Sequence, residues 1–147
     1  MNLLVPFQKR VFWPFVHSLI DWEQEVEYGG CFGKDWVSVA CGSSTSITTP
    51  RGAACWHSHP SGSAGLSTID MVNLCAAGSV KHVLLEKKKI SQYVFSNENG
   101  ESGAPGLVLA RASAKAAKVC QGRSLDEIPE EQKLAIFGIE RVGVEWL

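Results

Sequence analysis

A short apolar run, Ala53-Ala54-Cys55-Trp56, leads straight into His57-Ser58-His59 and stops at Pro60. Proline has no N–H to give to a neighbouring strand, so the run reads as a short buried strand that ends there. Ser61-Gly62-Ser63-Ala64-Gly65 follows as a flexible loop. Ser67 then supplies a helix N-cap, and Ile69, Met71, Val72, Leu74 and Cys75 carry a helix closed by Gly78. A strand, a loop and a helix in such quick succession commit the chain to a layered α/β or α+β architecture.

The same stretch gathers metal-ligand chemistry. On a strand, side chains two apart project to one face, so His57 and His59 point together while Ser58 points away. Seven residues separate His59 from Ser67, and two more separate Ser67 from Asp70. A helix starting at Ser67 presents Asp70 within its first turn. Two histidines and a carboxylate make three protein ligands, the number that holds a catalytic zinc with one position left open. Each part alone has a plainer reading. Ser67-x-x-Asp70 is also a capping box, and a His-x-His pair is common on surfaces and in cores. The capping and ligand roles are compatible, because a carboxylate at a helix N-terminus is favoured either way. A general base is still needed, and the ligands cannot serve; a glutamate near the metal but not bound to it would fill the role.

Elsewhere the chain alternates helices with short strand pairs. Pro14 opens a helix running to about Glu23, with Phe15, Leu19 and Trp22 as its core-facing stripe. Glu27–Phe32 and Trp36–Cys41 form a hairpin around Gly33-Lys34-Asp35. Gly42–Arg51 is a loop or an edge strand. Val80–Leu85 and Ile90–Phe95 form a second pair, turning at the exposed Lys87-Lys88-Lys89, and His82 reads as a core residue of that pair. His17, on the first helix, has no partner evident in the sequence. Ser96–Gly106 is a polar loop, and Leu107–Gln121 an Ala-rich helix stopped by Gly122. Ser124 has capping-box spacing to Glu127, Pro129 suits the start of another helix, and Val142–Trp146 adds a last strand.

The 147 residues are expected to form a single domain. With 45% apolar and 20% charged residues and a net charge of -1, nothing favours nucleic acid or an anionic membrane as partner. No apolar run approaches the roughly 20 residues that span a bilayer, and the first six residues do not read as a secretory signal. Cys31, Cys41, Cys55, Cys75 and Cys120 are odd in number and widely spaced, which fits reduced thiols and a cytoplasmic setting.

His57-x-His59, seven residues, Ser67, two residues and Asp70 resemble the motif of the JAMM (MPN-plus, or JAB domain) zinc metalloproteases without a mismatch. The resemblance implies one zinc per chain on His57, His59 and Asp70, with Ser67 helping to place the attacking water or steady the oxyanion. It also implies an upstream glutamate as base. Glu27-Tyr28-Gly29-Gly30-Cys31-Phe32-Gly33 resembles the prokaryotic form of that element, with its last glycine one residue early, and points to Glu27. Glu25, on the same face of a strand, is the alternative.

Membership would imply a three-layer α-β-α sandwich with a mixed sheet, of the cytidine deaminase-like kind, and a peptidase or isopeptidase activity. Substrates in the family are often ubiquitin-like proteins whose tail, commonly ending in Gly-Gly, lies beside a sheet edge. Only 23 residues separate Gly33 from His57 and no histidine follows His82, which fits a compact prokaryotic or phage form. The deaminase signature of His-x-Glu with Pro-Cys-x-x-Cys is absent. Two rival readings stand beside this one. The first is a non-catalytic zinc-binding interaction module on the same fold. The second is a RadC-like protein, which His59-Pro60-Ser61-Gly62 also resembles.

Overall fold

The strand and helix expected between Ala53 and Gly78 form the centre of the molecule. The computed structural model describes residues 3–6, 12–42, 54–60, 65–96 and 104–147. The glycine-rich loop 61–64, most of 42–51 and the loop 97–103 lie outside the described residues. The central strand, Cys55–Ser58, runs parallel to a later strand, Lys81–Glu86, and the connection passes through a helix, Thr68–Ala76. A parallel pair needs such a crossover, and Ser67 and Gly78 set its ends. Ser67 caps the helix, while Gly78 adopts a left-handed φ of 72° just beyond it.

In chain order the elements are β1 (Leu3–Pro6), α1 (Trp13–Ser18), β2 (Tyr28–Cys31), β3 (Trp36–Cys41), β4 (Cys55–Ser58), α2 (Thr68–Ala76), β5 (Lys81–Glu86), β6 (Lys89–Phe95), α3 (Pro105–Val119), α4 (Glu130–Phe137) and β7 (Ile139–Trp146). The fold is α/β. The strands lie in the order β1-β3-β2-β4-β5-β6-β7, and every pairing but β4 with β5 is antiparallel, so the sheet is mixed. Among the described residues no helix is long and apolar enough to cross a membrane.

Alternation along β4 and β5 divides the core in two. Cys55 and Leu84 face a cluster built from α2, α3 and α4, which includes Met71, Val108, Leu134 and Phe137. Trp56, Val83 and Leu85 face the opposite way, against Trp13, Val16 and Ile20 at α1. The C-terminal third is therefore part of the core and of the sheet. α3 packs on α2 through a face that includes Val108, Ala112 and Ala116, and β7 completes one edge of the sheet beside β6.

The expected stripe on α1 is the wrong one. Phe15 and Leu19 are exposed and Trp22 is only half-buried, while Trp13, Val16 and Ile20 face the sheet. The helix also ends at Ser18 rather than near Glu23, although Pro14 does sit in its first turn. Both stripes have helical spacing and both are apolar, so periodicity could not choose between them. Ser124 does not cap a helix through its side chain: it precedes a short 3-10 turn, Leu125–Glu127, and its hydroxyl donates to Glu127 Oε1 at 2.8 Å. β1, which the sequence pattern does not announce, pairs antiparallel with β3 from Leu3↔Val39 to Pro6↔Trp36.

One glycine in β2 is dictated by its neighbours. The Trp56 indole N–H donates to the Ser38 carbonyl at 2.9 Å, reaching from β4 to β3 across Gly30, which pairs with Trp56. A Cβ at Gly30 would overlap that carbonyl oxygen and lie 2.6 Å from the Ser38 hydroxyl, which itself accepts from the Cys31 N–H at 2.8 Å. Gly30→Ala is therefore expected to lower the unfolding free energy by about 2 kcal/mol, the cost of overpacking a tight site. Gly106→Ala, in α3 with open space around it, should instead be neutral or stabilising by up to about 1 kcal/mol. Urea unfolding of the two variants beside the wild type checks both.

Candidate metal centre

Pairing in the sheet sets the histidines. β4 alternates Cys55 and His57 toward α2 and Trp56 and Ser58 toward α1, and the His59 N–H continues the ladder by donating to Leu85 O at 3.0 Å. Gly29 stands opposite His57 in the pairing of β2 with β4. Ser58 is not idle. Its hydroxyl accepts the Tyr28 N–H at 2.9 Å, while Gly42 N donates to the Glu27 carbonyl at 2.7 Å. The peptide that follows Glu27 is thus held at both ends, once by the residue between the two histidines.

Asp70 arrives from α2. Ser67 Oγ accepts the Asp70 N–H at 3.0 Å, and Asp70 Oδ2 accepts the Ser67 N–H at 3.1 Å, which is a complete capping box. The same Oδ2 lies 3.1 Å from His59 Nε2 and 3.4 Å from His57 Nε2, and the two ring nitrogens are 3.0 Å apart. One oxygen thus completes the capping box and lies against both imidazoles.

That triangle suits a small cation. Ligands about 2.0–2.1 Å from a tetrahedral zinc lie about 3.3 Å from one another. Two imidazole nitrogens and a carboxylate oxygen are also the donor set that borderline-soft divalent metals take. His57, His59 and Asp70 are accordingly the group among the described residues that could hold a metal ion.

The electrostatics divide the two carboxylates. Burial pushes the Asp70 carboxyl up, but hydrogen bonds from His57 and His59, the charge of His57 and the Ser67 N–H outweigh it and hold the group well below the usual carboxylate range. Glu27 goes the other way. It is buried, and burial lifts its carboxyl above the ordinary value, with His57 and His59 pulling down and Asp70 pushing up. All three proposed ligands therefore act on Glu27, whereas Glu25 is exposed. Of the two glutamates open in the sequence, Glu27 is the buried one and the one whose carboxyl feels the charges of all three groups. For His59, burial lowers the affinity for a proton, but the hydrogen bond and charge of Asp70, with Glu27 and Glu86 behind, raise it overall.

Two features of the surroundings were not legible in advance. His82 is a core residue, as expected, yet its Nε2 lies 2.5 Å from His57 Nδ1 and its Nδ1 lies 3.1 Å from Cys55 Sγ. Burial, with the neighbouring histidines, holds it well below the usual imidazole range. The parity of β5 against β4, where Cys55 pairs with His82, is the signal, and it exists only once the strands are paired. The second feature is a brace from the C-terminal third. Lys133 Nζ donates to Thr68 Oγ1 at 3.1 Å, and the Glu130 carboxylate packs on Gly65, whose φ is 80°. Arg141 donates to Glu130 at 2.6 Å and to Glu131, and the Tyr93 hydroxyl donates to Glu130 at 3.4 Å. His17 also has a partner, donating from Nε2 to the Glu86 carbonyl at 2.7 Å.

No family model, curated protein or solved structure matches the chain.

The raised Glu27 carboxyl carries a stability consequence. A group whose folded pKa exceeds its unfolded value costs nothing below the unfolded pKa and destabilises as pH rises through the folded one. In metal-free protein, Glu27→Gln should therefore be more stable than wild type at pH 7. The gain should vanish as pH falls below about 4, where both forms are neutral. Thermal unfolding across that range, in the presence of chelator, measures it.

Proposed function

We propose that this chain is a zinc-dependent hydrolase of peptide or isopeptide bonds, a compact member of the JAMM type. The observation that carries the reading is the convergence of His57 Nε2, His59 Nε2 and Asp70 Oδ2 within 3.0–3.4 Å of one another, with the buried Glu27 carboxyl within their electrostatic reach. His57, His59 and Asp70 would hold one zinc. When bound, zinc would supply Lewis acidity, lowering the pKa of a water and polarising a carbonyl.

The chain's own groups supply the rest. Glu27, whose carboxyl burial raises above its ordinary value, takes the proton of the attacking water and returns it to the leaving amine. Ser67, whose oxygen accepts the Asp70 N–H, would donate its hydroxyl hydrogen to a developing oxyanion. Helices on both faces of a mixed sheet support the layered α-β-α sandwich that goes with this reading. The substrate is then a protein or peptide, with a ubiquitin-like tail ending in Gly-Gly as the first class to try, laid along a sheet edge. All five cysteines are thiols, which supports a reducing, cytoplasmic setting.

Protein purified without a metal-binding tag should carry about one zinc per chain by mass spectrometry, and Asp70→Ala markedly less. Hydrolysis of linear fusions to ubiquitin-like proteins should be lost with chelator and regained with zinc. Glu27→Gln should keep its zinc and lose about 10²- to 10⁴-fold in kcat, the usual contribution of a general base. Well-folded wild type without zinc, or turnover indifferent to chelator, would overturn the reading.

A further inference from the structure

The proposed ligand set leaves a buried hydrogen-bonded chain unused. It runs from His57 Nδ1 to His82 Nε2 at 2.5 Å, from His82 Nδ1 to Cys55 Sγ at 3.1 Å, and from Cys55 Sγ to Ser79 Oγ at 3.7 Å. His82 and Ser79 are each about 1% exposed and Cys55 is fully buried, so water does not compete for these bonds. From the metal triangle the chain leads inward, beneath α2, along the face that β4 and β5 share.

A neutral imidazole offers one N–H and one lone pair, so His82 can only pass the direction of the chain along. If His57 Nδ1–H donates to His82, then His82 Nδ1–H donates to Cys55, and the thiol hydrogen is left for Ser79. If the direction reverses, His82 donates to His57 Nδ1 and the proton of His57 moves to Nε2. Nε2 is the atom that faces His59 and Asp70. Only the first arrangement leaves its lone pair available to a cation.

We infer that His82, with Cys55 behind it, is the positioning residue of the metal centre: it accepts the Nδ1–H of His57 and thereby fixes the ring and the tautomer that bind the ion. The inference rests on the zinc reading above. Ligating histidines generally give their second ring nitrogen to a carboxylate, a carbonyl or water, and loss of that partner costs about 10- to 100-fold in metal affinity. Here a second imidazole fills the place, and a thiol orients it in turn.

Two amide substitutions separate its halves. Gln at position 82 can put an acceptor where Nε2 lies, whereas Asn reaches only the Nδ1 position next to Cys55. Zinc affinity, measured by competition with a chelating dye on the full chain, should stay within about 3-fold of wild type in His82→Gln. It should fall about 10- to 100-fold in His82→Asn and in His82→Phe. Cobalt-loaded protein gives a second readout, since the visible absorption of tetrahedral cobalt should persist in His82→Gln and weaken or shift in the other two. Metal-free unfolding midpoints control for folding, and a purely structural role would make affinity follow those midpoints. Equal affinity across all variants, or losses that track stability with Gln no better than Asn, would overturn the inference while leaving a zinc-bound wild type intact. Wild type that binds no zinc would overturn the parent reading and this one with it.

Discussion

A single oxygen, Asp70 Oδ2, joins the fold to the site. It accepts the Ser67 N–H and so satisfies one of the donors that α2 leaves open at its start, and it meets both His59 and His57 from the end of β4. The crossover from β4 to β5 passes through this joint, so the position of α2 over the sheet and the closing of the ligand triangle are one constraint. A cap alone is worth about 1 kcal/mol. Burying a carboxylate costs more than that unless it is paired, and the two imidazoles provide the pairing.

The joint also explains why two carboxylates in one site behave differently. Asp70 sits at a helix N-terminus with donors on it and stays ionised. Glu27 sits at the start of a strand, buried, with its backbone clamped by Ser58 and Gly42 and its carboxyl pushed toward the neutral form. Titratable groups whose surroundings drive their pKa values apart are the mark of divided acid–base labour. In the proposed function Asp70 would hold a cation, and Glu27 would exchange a proton. Retaining Glu27 there works against stability, the pattern expected where function sets the residue.

Local chemistry made part of this legible. The run to Pro60, the N-cap at Ser67 and the hairpin turn at Gly33-Lys34-Asp35 each dictate backbone within a few residues, and those elements form where the sequence places them. What failed was choice between equal local patterns. α1 carries apolar residues on two sides, and only the sheet decides that Trp13 and Val16, not Phe15 and Leu19, are covered. β1 is four residues long and is defined by its partner β3 rather than by any pattern of its own. His82 looked like core because it is core. Its contact with His57 depends on the parallel register of β4 with β5, across a crossover that no short-range signal encodes.

The C-terminal third shows the same long-range logic at work on the site. Gly65, at a φ of 80°, turns the chain just before Ser67, and slack at that place would loosen the triangle. The restraint comes from elements some 65 residues further on, as Lys133 reaches Thr68 and Glu130 seats against Gly65 under Arg141 and Tyr93. Half-exposed ion pairs of this kind contribute little energy individually, about 0–1 kcal/mol. Their effect is orientational: they fix where α2 begins, and a ligand oxygen three residues into that helix needs its start held to a fraction of an ångström. α4 and β7 thus carry no motif, yet they bear on the candidate metal centre through the backbone that delivers Asp70.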